Sequence, residues 1–150
     1  MTQFAHIGLS VSDLERSTRF YQDAFGFEPF FAVERKATWI ADGTGYVGAH
    51  LRFQHMRLPS GMHLELIQYE HPTYEGGGYQ GAKFIKGHVH FCLFVDDIEA
   101  AMQRAVKAGA FVVSKSAPVT IPEGPNTGAK FVFLEDHDFI SIELFQKAKP

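Results

Sequence analysis

The sequence predicts an α+β fold of two tandem βαβββ modules, whose strands form a curved, half-barrel mixed sheet with the helices on the outside. The first observation is a repeat, because residues 6–11 and 90–95 are strand-like segments that each open with His and lead into a helix signature. The second is that residues 63–68 and 141–146 each place a Glu between apolar residues. The predicted bounds are 1–70 for the first module, 71–87 for a Gly-rich linker and 88–150 for the second module, which together make one domain.

The opening segment of each half has the period of a strand. In residues 6–11 every second residue is Ile, Leu or Val, and in residues 90–95 every second residue is Phe, Leu or Val. A period of two is typical of a half-buried strand. The remaining positions of these segments, which include His6 and His90, therefore face the opposite side from the apolar residues.

A helix is predicted after each of these strands. Residues 12–15 read Ser-Asp-Leu-Glu and residues 96–99 read Asp-Asp-Ile-Glu, a pattern that caps the first turn of a helix. Gly26 and Gly109 follow at the distance where a left-handed glycine ends a helix. The two copies are offset by 84 residues at the His and at the helix start, and by 83 at the Gly.

The interior of each half should supply two further strands. In the first half these are residues 29–34 and 46–56, joined by a turn at residues 42–45, Asp-Gly-Thr-Gly. In the second half they are residues 111–115 and 130–134. The Gly-Gly-Gly run at residues 76–78 predicts a flexible linker or mobile loop between the modules.

Composition excludes several classes of protein. The net charge is −3 and no basic stripe is present, so nucleic acid is not an expected partner. No apolar run approaches the ~20 residues that a membrane helix requires, and the first residues lack the pattern of a signal peptide. The single cysteine, Cys92, cannot form an internal disulfide. We therefore expect a cytoplasmic protein with a small-molecule substrate.

Strand parity places four polar residues on matching faces. His6 and His90 point away from the apolar face of the first strand of each half, and Glu65 and Glu143 do the same in the last strand. Two imidazoles and two carboxylates are suitable ligands for a divalent ion such as Ni, Zn, Co, Mn or Fe. Open coordination positions would remain for a substrate, as metal catalysis requires. The sequence therefore predicts a metal site on His6, Glu65, His90 and Glu143.

The other histidines are weaker candidates for metal ligands. His88 shares a face with His90, but His90 alone keeps the spacing that His6 has to its helix. His63 lies beside Glu65 on the same face, where it could contact a metal ligand without binding the metal itself. Cys92 is on the His90 face, and a free cysteine is more often a small core residue. Four further histidines are interpreted as surface residues: His50, His55, His71 and His137.

These motifs together resemble the vicinal oxygen chelate superfamily, which includes glyoxalase I, methylmalonyl-CoA epimerase, extradiol dioxygenases, fosfomycin-resistance enzymes and bleomycin-binding proteins. Residues 6–14 with Arg-Phe-Tyr at 19–21 and Gly-Phe at 26–27 look like its opening motif, and residues 90–98 look like the repeat of that motif. Residues 133–144 resemble the closing motif, except that Asp-His-Asp-Phe at residues 136–139 stands where the family usually has Asp-Pro-Asp-Gly. The departure affects the turn before the last strand.

The resemblance implies the same four ligands and leans towards one activity. Members differ at the second ligand position, where glyoxalase I has a Glu, as this chain has at Glu65, while epimerases often have a Gln. The expected function is a glyoxalase-like lyase, isomerase or epimerase that moves a proton next to a carbonyl of a substrate chelated through two oxygens. Glu143 is the first candidate for the base and Glu65 is the second.

Two alternatives remain open at the level of sequence. One is an extradiol ring-cleaving dioxygenase with Fe(II) on His6, His90 and Glu143. The other is a binding protein that sequesters an aromatic drug or metabolite without turnover, which the 15 phenylalanines permit. A homodimer is expected in each case, because a small sheet with polar and apolar residues on its open face needs cover. The sequence leaves open whether the ligands of one metal come from one chain or two.

Overall fold

The computed structural model describes residues 1–76 and 83–149. The chain divides into two compact units, one of residues 1–22 and 26–76, the other of residues 23–25 and the described residues from 83 onward. Of the Gly-rich linker predicted at residues 71–87, residues 77–82 lie outside the described part. None of the helices in the described ranges is long and apolar enough to cross a membrane.

The first module is a four-stranded mixed sheet with two helices. The elements are β1 (Ile7–Ser10), α1 (Leu14–Phe25), β2 (Glu28–Lys36), α2 (Thr38–Thr44), β3 (His50–Arg57) and β4 (His63–His71). The strands run in the order β1-β4-β3-β2, with β1 parallel to β4 and the other neighbours antiparallel. The predicted order of strand, helix and three strands is present, with one additional short helix.

The second module repeats this topology in a five-stranded sheet. The elements are β5 (His90–Phe94), α3 (Ile98–Ala108), β6 (Phe111–Val112), β7 (Val119–Thr120), β8 (Lys130–Glu135) and β9 (Ser141–Gln146). The strands run in the order β5-β9-β8-β6, and the short strand β7 also pairs with β8. The pairing of β5 with β9 is parallel, as is that of β1 with β4, which confirms the predicted α+β fold of two βαβββ modules.

Both main helices begin and end as the sequence predicts. The Asp13 side chain accepts from the backbone N–H of Arg16 at 2.8 Å, and the Asp97 side chain accepts from that of Ala100 at 2.9 Å. Each contact satisfies an N–H that has no partner within the helix. Gly26 and Gly109 end α1 and α3 in the left-handed conformation that glycine adopts without steric cost.

A glutamine on the last strand of each module holds the start of the helix. The backbone N–H of Leu14 donates to Gln68 Oε1 at 2.7 Å, and that of Ile98 donates to Gln146 Oε1 at 2.8 Å. A salt bridge to the first turn of the helix also repeats: Arg52 pairs with Glu15 in the first module and Lys130 pairs with Glu99 in the second. Each cation lowers the pKa of its glutamate. The two modules therefore share side-chain contacts as well as topology, as a duplication predicts.

Burial follows the predicted parity of the strands. Leu9 in β1 and Leu64 and Leu66 in β4 are buried, while His6 and Gly8 are exposed. In the second module Phe91, Leu93, Ile142 and Leu144 are buried in the same pattern. One face of each sheet thus forms the core, and the face that carries His and Glu remains accessible.

The interior of the first module differs from the sequence prediction. Residues 42–45 do not form a turn between strands; they end helix α2, and Gly45 caps it in the left-handed conformation. The helix forms because Ile40 packs into a small core with Ala49 and Leu51. Strand β3 consequently begins at His50 instead of residue 46.

The interior of the second module differs as well. The strand predicted at residues 111–115 is only Phe111–Val112, and β7 continues the pairing with β8 further along the chain. One more backbone hydrogen bond follows β6, from the N–H of Val113 to the carbonyl of Phe133 at 2.9 Å. The N–H of Phe133 then donates to the Ser114 hydroxyl at 3.0 Å, where a ladder would use a backbone carbonyl. Pro118, which has no N–H, lies directly before β7.

Replacing Gln146 by Ala should lower the free energy of unfolding by about 1 kcal/mol, because the half-buried N–H of Ile98 loses its acceptor. Urea unfolding followed by circular dichroism measures the change. The matched control is Gln103→Ala, since Gln103 is an exposed residue of α3, the helix that begins at Ile98. Equal stability of both variants would show that the glutamine does not hold the helix.

Candidate metal centre

The first half of the candidate site is a His–Glu pair formed by parallel strand pairing. In the register of β1 and β4, Gly8 is opposite Glu65, and His6 lies two residues earlier on the same face. His6 Nε2 lies 3.4 Å from Glu65 Oε2. The His6 side chain is 38% exposed and the Glu65 side chain 17% exposed, so both remain within reach of a solute.

The second module forms the same pair at the matching positions. Cys92 is opposite Glu143 in the register of β5 and β9, and His90 lies two residues before Cys92. His90 Nε2 lies 3.3 Å from Glu143 Oε2, and the two side chains are 42% and 18% exposed. The distances and exposures match those of the first pair closely. Each module therefore brings together one of the His–Glu pairs that the sequence predicts.

The donor atoms of these pairs fit a divalent cation in their chemistry. An imidazole nitrogen and a carboxylate oxygen within 3.5 Å of each other, as in both pairs, can bind one ion together. In residues 1–76 and 83–149 no group of three or more His, Cys, Asp or Glu side chains is arranged to hold a metal ion. Each pair is thus half of the predicted ligand set.

Two further histidines surround Glu65, and the sequence interpretation of one of them is wrong. His55 was expected at the surface, yet its Nε2 lies 3.4 Å from Glu65 Oε1 and its Nδ1 lies 3.2 Å from His63 Nε2. Burial, and next the neighbouring His55 and His6, lower the pKa of His63. The sequence does not predict this contact, because it depends on the register of β3 against β4, which places His55 opposite Glu65.

The surroundings of Glu143 are different. The ring of Phe133 lies 5.2 Å from that of His90, edge to face. Cys92 is exposed and is not the core residue that the sequence suggested. Desolvation of its thiol, followed by the nearby carboxylate of Glu143, raises the pKa of Cys92 to about 11, so the thiol stays protonated at neutral pH. Lys83 reaches the same sheet face, where Nζ donates to Glu135 at 2.9 Å.

The remaining histidines do not join either pair. His71 is exposed, as expected, whereas His50 is half-buried beside Glu34 and His137 is half-buried near Gly109. His88, the competitor of His90, is half-buried in the segment before β5. Its position leaves His90 as the histidine that contacts Glu143.

The unusual turn before β9 forms without a glycine. The Asp136 side chain is buried and accepts from the backbone N–H groups of Asp138 and Ile140, both at 2.9 Å. Phe139 takes a φ of 61°, in the left-handed region where the resembling motif has Gly. Such a conformation costs about 1–2 kcal/mol for a residue with a side chain. The two hydrogen bonds of Asp136 offset that cost.

Comparison with known proteins agrees with this fold. The model of the Glyoxalase/Bleomycin resistance protein/Dioxygenase superfamily matches residues 3–144. No curated protein matches the chain.

Three solved structures show the range of similarity. A glyoxalase family protein from Bacillus cereus superposes with a TM-score of 0.85 at 18% identity, over 99% of this chain and 96% of that one. A genomically encoded fosfomycin resistance protein from Listeria monocytogenes, in complex with Mn(II) and sulfate ion, has a TM-score of 0.57 at 16% identity, over 100% and 94% of the two chains. A glyoxalase I mutant from Zea mays has a TM-score of 0.62 at 18% identity, over 94% of this chain and 44% of that one. With its two βαβββ modules and a family match over nearly its whole length, this chain belongs to the Glyoxalase/Bleomycin resistance protein/Dioxygenase superfamily.

Proposed function

We propose that this protein is a metal-dependent, glyoxalase-like lyase or isomerase that transfers a proton next to the carbonyl of a small substrate. The observation that carries the proposal is the pair of matched contacts, His6 with Glu65 and His90 with Glu143. A structural role alone does not explain why both modules keep a partly exposed His–Glu pair at the same two strand positions. Membership of a superfamily that includes glyoxalases and dioxygenases supports a role in chemistry.

In this proposal His6, Glu65, His90 and Glu143 hold one divalent ion. The ion, when bound, supplies a Lewis acid that polarises the substrate carbonyl and a template for two neighbouring substrate oxygens. The histidines bind through Nε2, since this is the ring nitrogen that faces the carboxylate in both pairs.

Glu143 is the proposed base. The Glu143 side chain is 18% exposed, so a substrate can reach it, and it lies on a sheet face that also carries Phe133. Cys92 beside it stays a neutral thiol at physiological pH and does not compete as the base. Glu143 would take the proton from the carbon next to the carbonyl and return it to the adjacent carbon or to the other face.

Aromatic side chains on the accessible faces would exclude water. Phe30, Phe31 and Phe94 are exposed in their modules, although each is large and apolar. Contact with the apolar part of a substrate would cover these side chains and exclude water from the reacting atoms. The same residues suit a binding protein without turnover, which needs no metal and is therefore distinguished by metal analysis.

Removing either histidine should abolish most metal binding without unfolding the protein. His6→Ala and His90→Ala each delete an imidazole that we propose as a ligand, while the buried leucines of each sheet keep the fold. Metal per chain is measured by mass spectrometry of protein purified without chelator, with circular dichroism as the test of folding. His71→Ala, at an exposed position, is the control. A full equivalent of metal in both histidine variants would refute the site.

Glu143→Gln should reduce turnover by ~10²–10⁴-fold while metal remains bound, because the amide keeps an oxygen for the ion but cannot accept a proton. Candidate substrates are the adduct of methylglyoxal with glutathione, methylmalonyl-CoA and catechols, and oxygen uptake with catechols would instead support the dioxygenase. Glu123→Gln in an exposed loop is the control. Unchanged turnover with bound metal would move the base to Glu65.

We also propose a homodimer, since over the described residues each sheet ends in edge strands, which a second chain commonly covers. Mixing inactive His6→Ala chains with inactive Glu143→Ala chains tests how the pairs combine, because the two changes are in different modules. Recovered activity is expected if each metal takes one pair from each chain, and no recovery if both pairs belong to one chain. Light scattering that gives a single 16.8 kDa species at micromolar concentration would refute the dimer.

A further inference from the structure

The two carboxylate oxygens of Glu65 face different histidines. Oε2 lies 3.4 Å from Nε2 of His6, the proposed ligand, and Oε1 lies 3.4 Å from Nε2 of His55. His55 is on β3, the antiparallel neighbour of β4, directly opposite Glu65. The carboxylate therefore lies between a histidine that would bind the ion and one that would not.

His63 in turn holds His55. The His63 Nε2 and His55 Nδ1 atoms are 3.2 Å apart. A neutral imidazole has one N–H donor and one acceptor nitrogen. A single assignment suits both contacts of His55: His63 donates from Nε2 to Nδ1 of His55, and the Nε2–H of His55 then faces Oε1 of Glu65 across 3.4 Å. The three side chains form a row that ends on the carboxylate, with a hydrogen bond between the imidazoles and a longer polar contact to Glu65.

Aromatic packing restricts the two supporting rings. The ring of Phe30 lies 6.0 Å from that of His55 and 5.1 Å from that of His63, and the ring of Phe31 lies 5.4 Å from that of His55. The guanidinium of Arg57 covers Phe30 at 5.2 Å. The phenyl rings therefore pack against both imidazoles, which reduces the freedom of His55 and His63 to rotate away from Glu65.

The second module lacks this arrangement at the corresponding positions. Phe133 is opposite Glu143 as His55 is opposite Glu65, and Ser141 occupies the place of His63 two residues before the glutamate. The Ser141 hydroxyl accepts from Lys83. A phenyl ring cannot donate to a carboxylate, so the two proposed glutamate ligands have different support.

We propose that His55, held by His63, is a positioning residue that orients Glu65 as a metal ligand, while Glu143 is faced by the Phe133 ring and has no matching imidazole. The inference rests on the proposed metal site and deepens it, because it names a residue that holds one glutamate ligand and has no equivalent at the other. Outer groups that hold a ligand by hydrogen bonding orient it and increase the affinity for the metal.

Two conservative substitutions separate the contacts of His55. In His55→Gln the side-chain amide reaches the position of Nε2 and can still donate to Glu65. In His55→Asn the shorter amide reaches only the position of Nδ1, so the contact with His63 remains and the one with Glu65 is lost. The control is His50→Asn, since His50 is on the same strand but pairs with Glu34.

The probe is Co(II), added to the full chain after removal of bound metal. Affinity is measured by competition with a chelating indicator, and the visible absorption of bound Co(II) reports the ligand geometry. We expect His55→Asn to bind about 10–100-fold more weakly than the parent chain and to change the spectrum. His55→Gln and His50→Asn should retain the parent affinity and spectrum.

Equal affinities and spectra for His55→Asn and His55→Gln would overturn the positioning role, because only one of them keeps a donor to Glu65. Circular dichroism shows whether each variant is folded; if His55→Asn does not fold, His63→Ala, which leaves His55 without its support, takes its place and should also bind Co(II) more weakly. Unchanged binding by His63→Ala would equally refute the proposal. A parent chain that binds no Co(II), or a His6→Ala variant that binds it fully, would instead refute the metal site itself.

Discussion

Parallel pairing between the first and last strands of each module is the constraint on which the site depends. Because β1 pairs with β4 and β5 with β9, residues separated by more than fifty positions in the chain meet as neighbours. The pairing aligns the buried faces of both strands, and the same register brings His6 to Glu65 and His90 to Glu143. A slip of one residue in either pairing would turn the glutamate towards the core. Hydrophobic burial on one face of the sheet thereby enforces the His–Glu contact on the other.

The crossover helix depends on the same strands. A parallel pair needs a long connection, and in each module a capped helix supplies part of it. Gln68 and Gln146, which continue the strands that carry Glu65 and Glu143, accept from the first backbone N–H of α1 and α3. The end of the glutamate strand and the start of the helix are therefore joined by one hydrogen bond in each half.

The two modules share a framework but differ around their glutamates. The capping aspartates, the helix-holding glutamines and the Glu–cation pairs repeat. In contrast, Glu65 has His55 as its cross-strand neighbour and Glu143 has Phe133. An imidazole offers a hydrogen bond and a phenyl ring offers only apolar contact, so the same ligand type meets two different environments. The two glutamates of the candidate site are therefore equivalent in strand position but not in surroundings.

The sequence by itself determined the two-module fold, the capped helices and the faces on which His6, Glu65, His90 and Glu143 lie, because hydrophobic period and capping are local properties of the chain. The tertiary structure alone decided which residues meet across strands. His55 looked like a surface residue because its contact with Glu65 depends on the register of β3 against β4, and register is set by the packing of whole strands. Helix α2 forms where the sequence predicted a turn, because Ile40 is buried beside Leu51. Strand β6 is shorter than predicted, and near its end the Ser114 hydroxyl accepts the hydrogen bond of the Phe133 N–H in place of a backbone carbonyl. These outcomes depend on contacts between residues that are distant in sequence, which a local pattern does not contain.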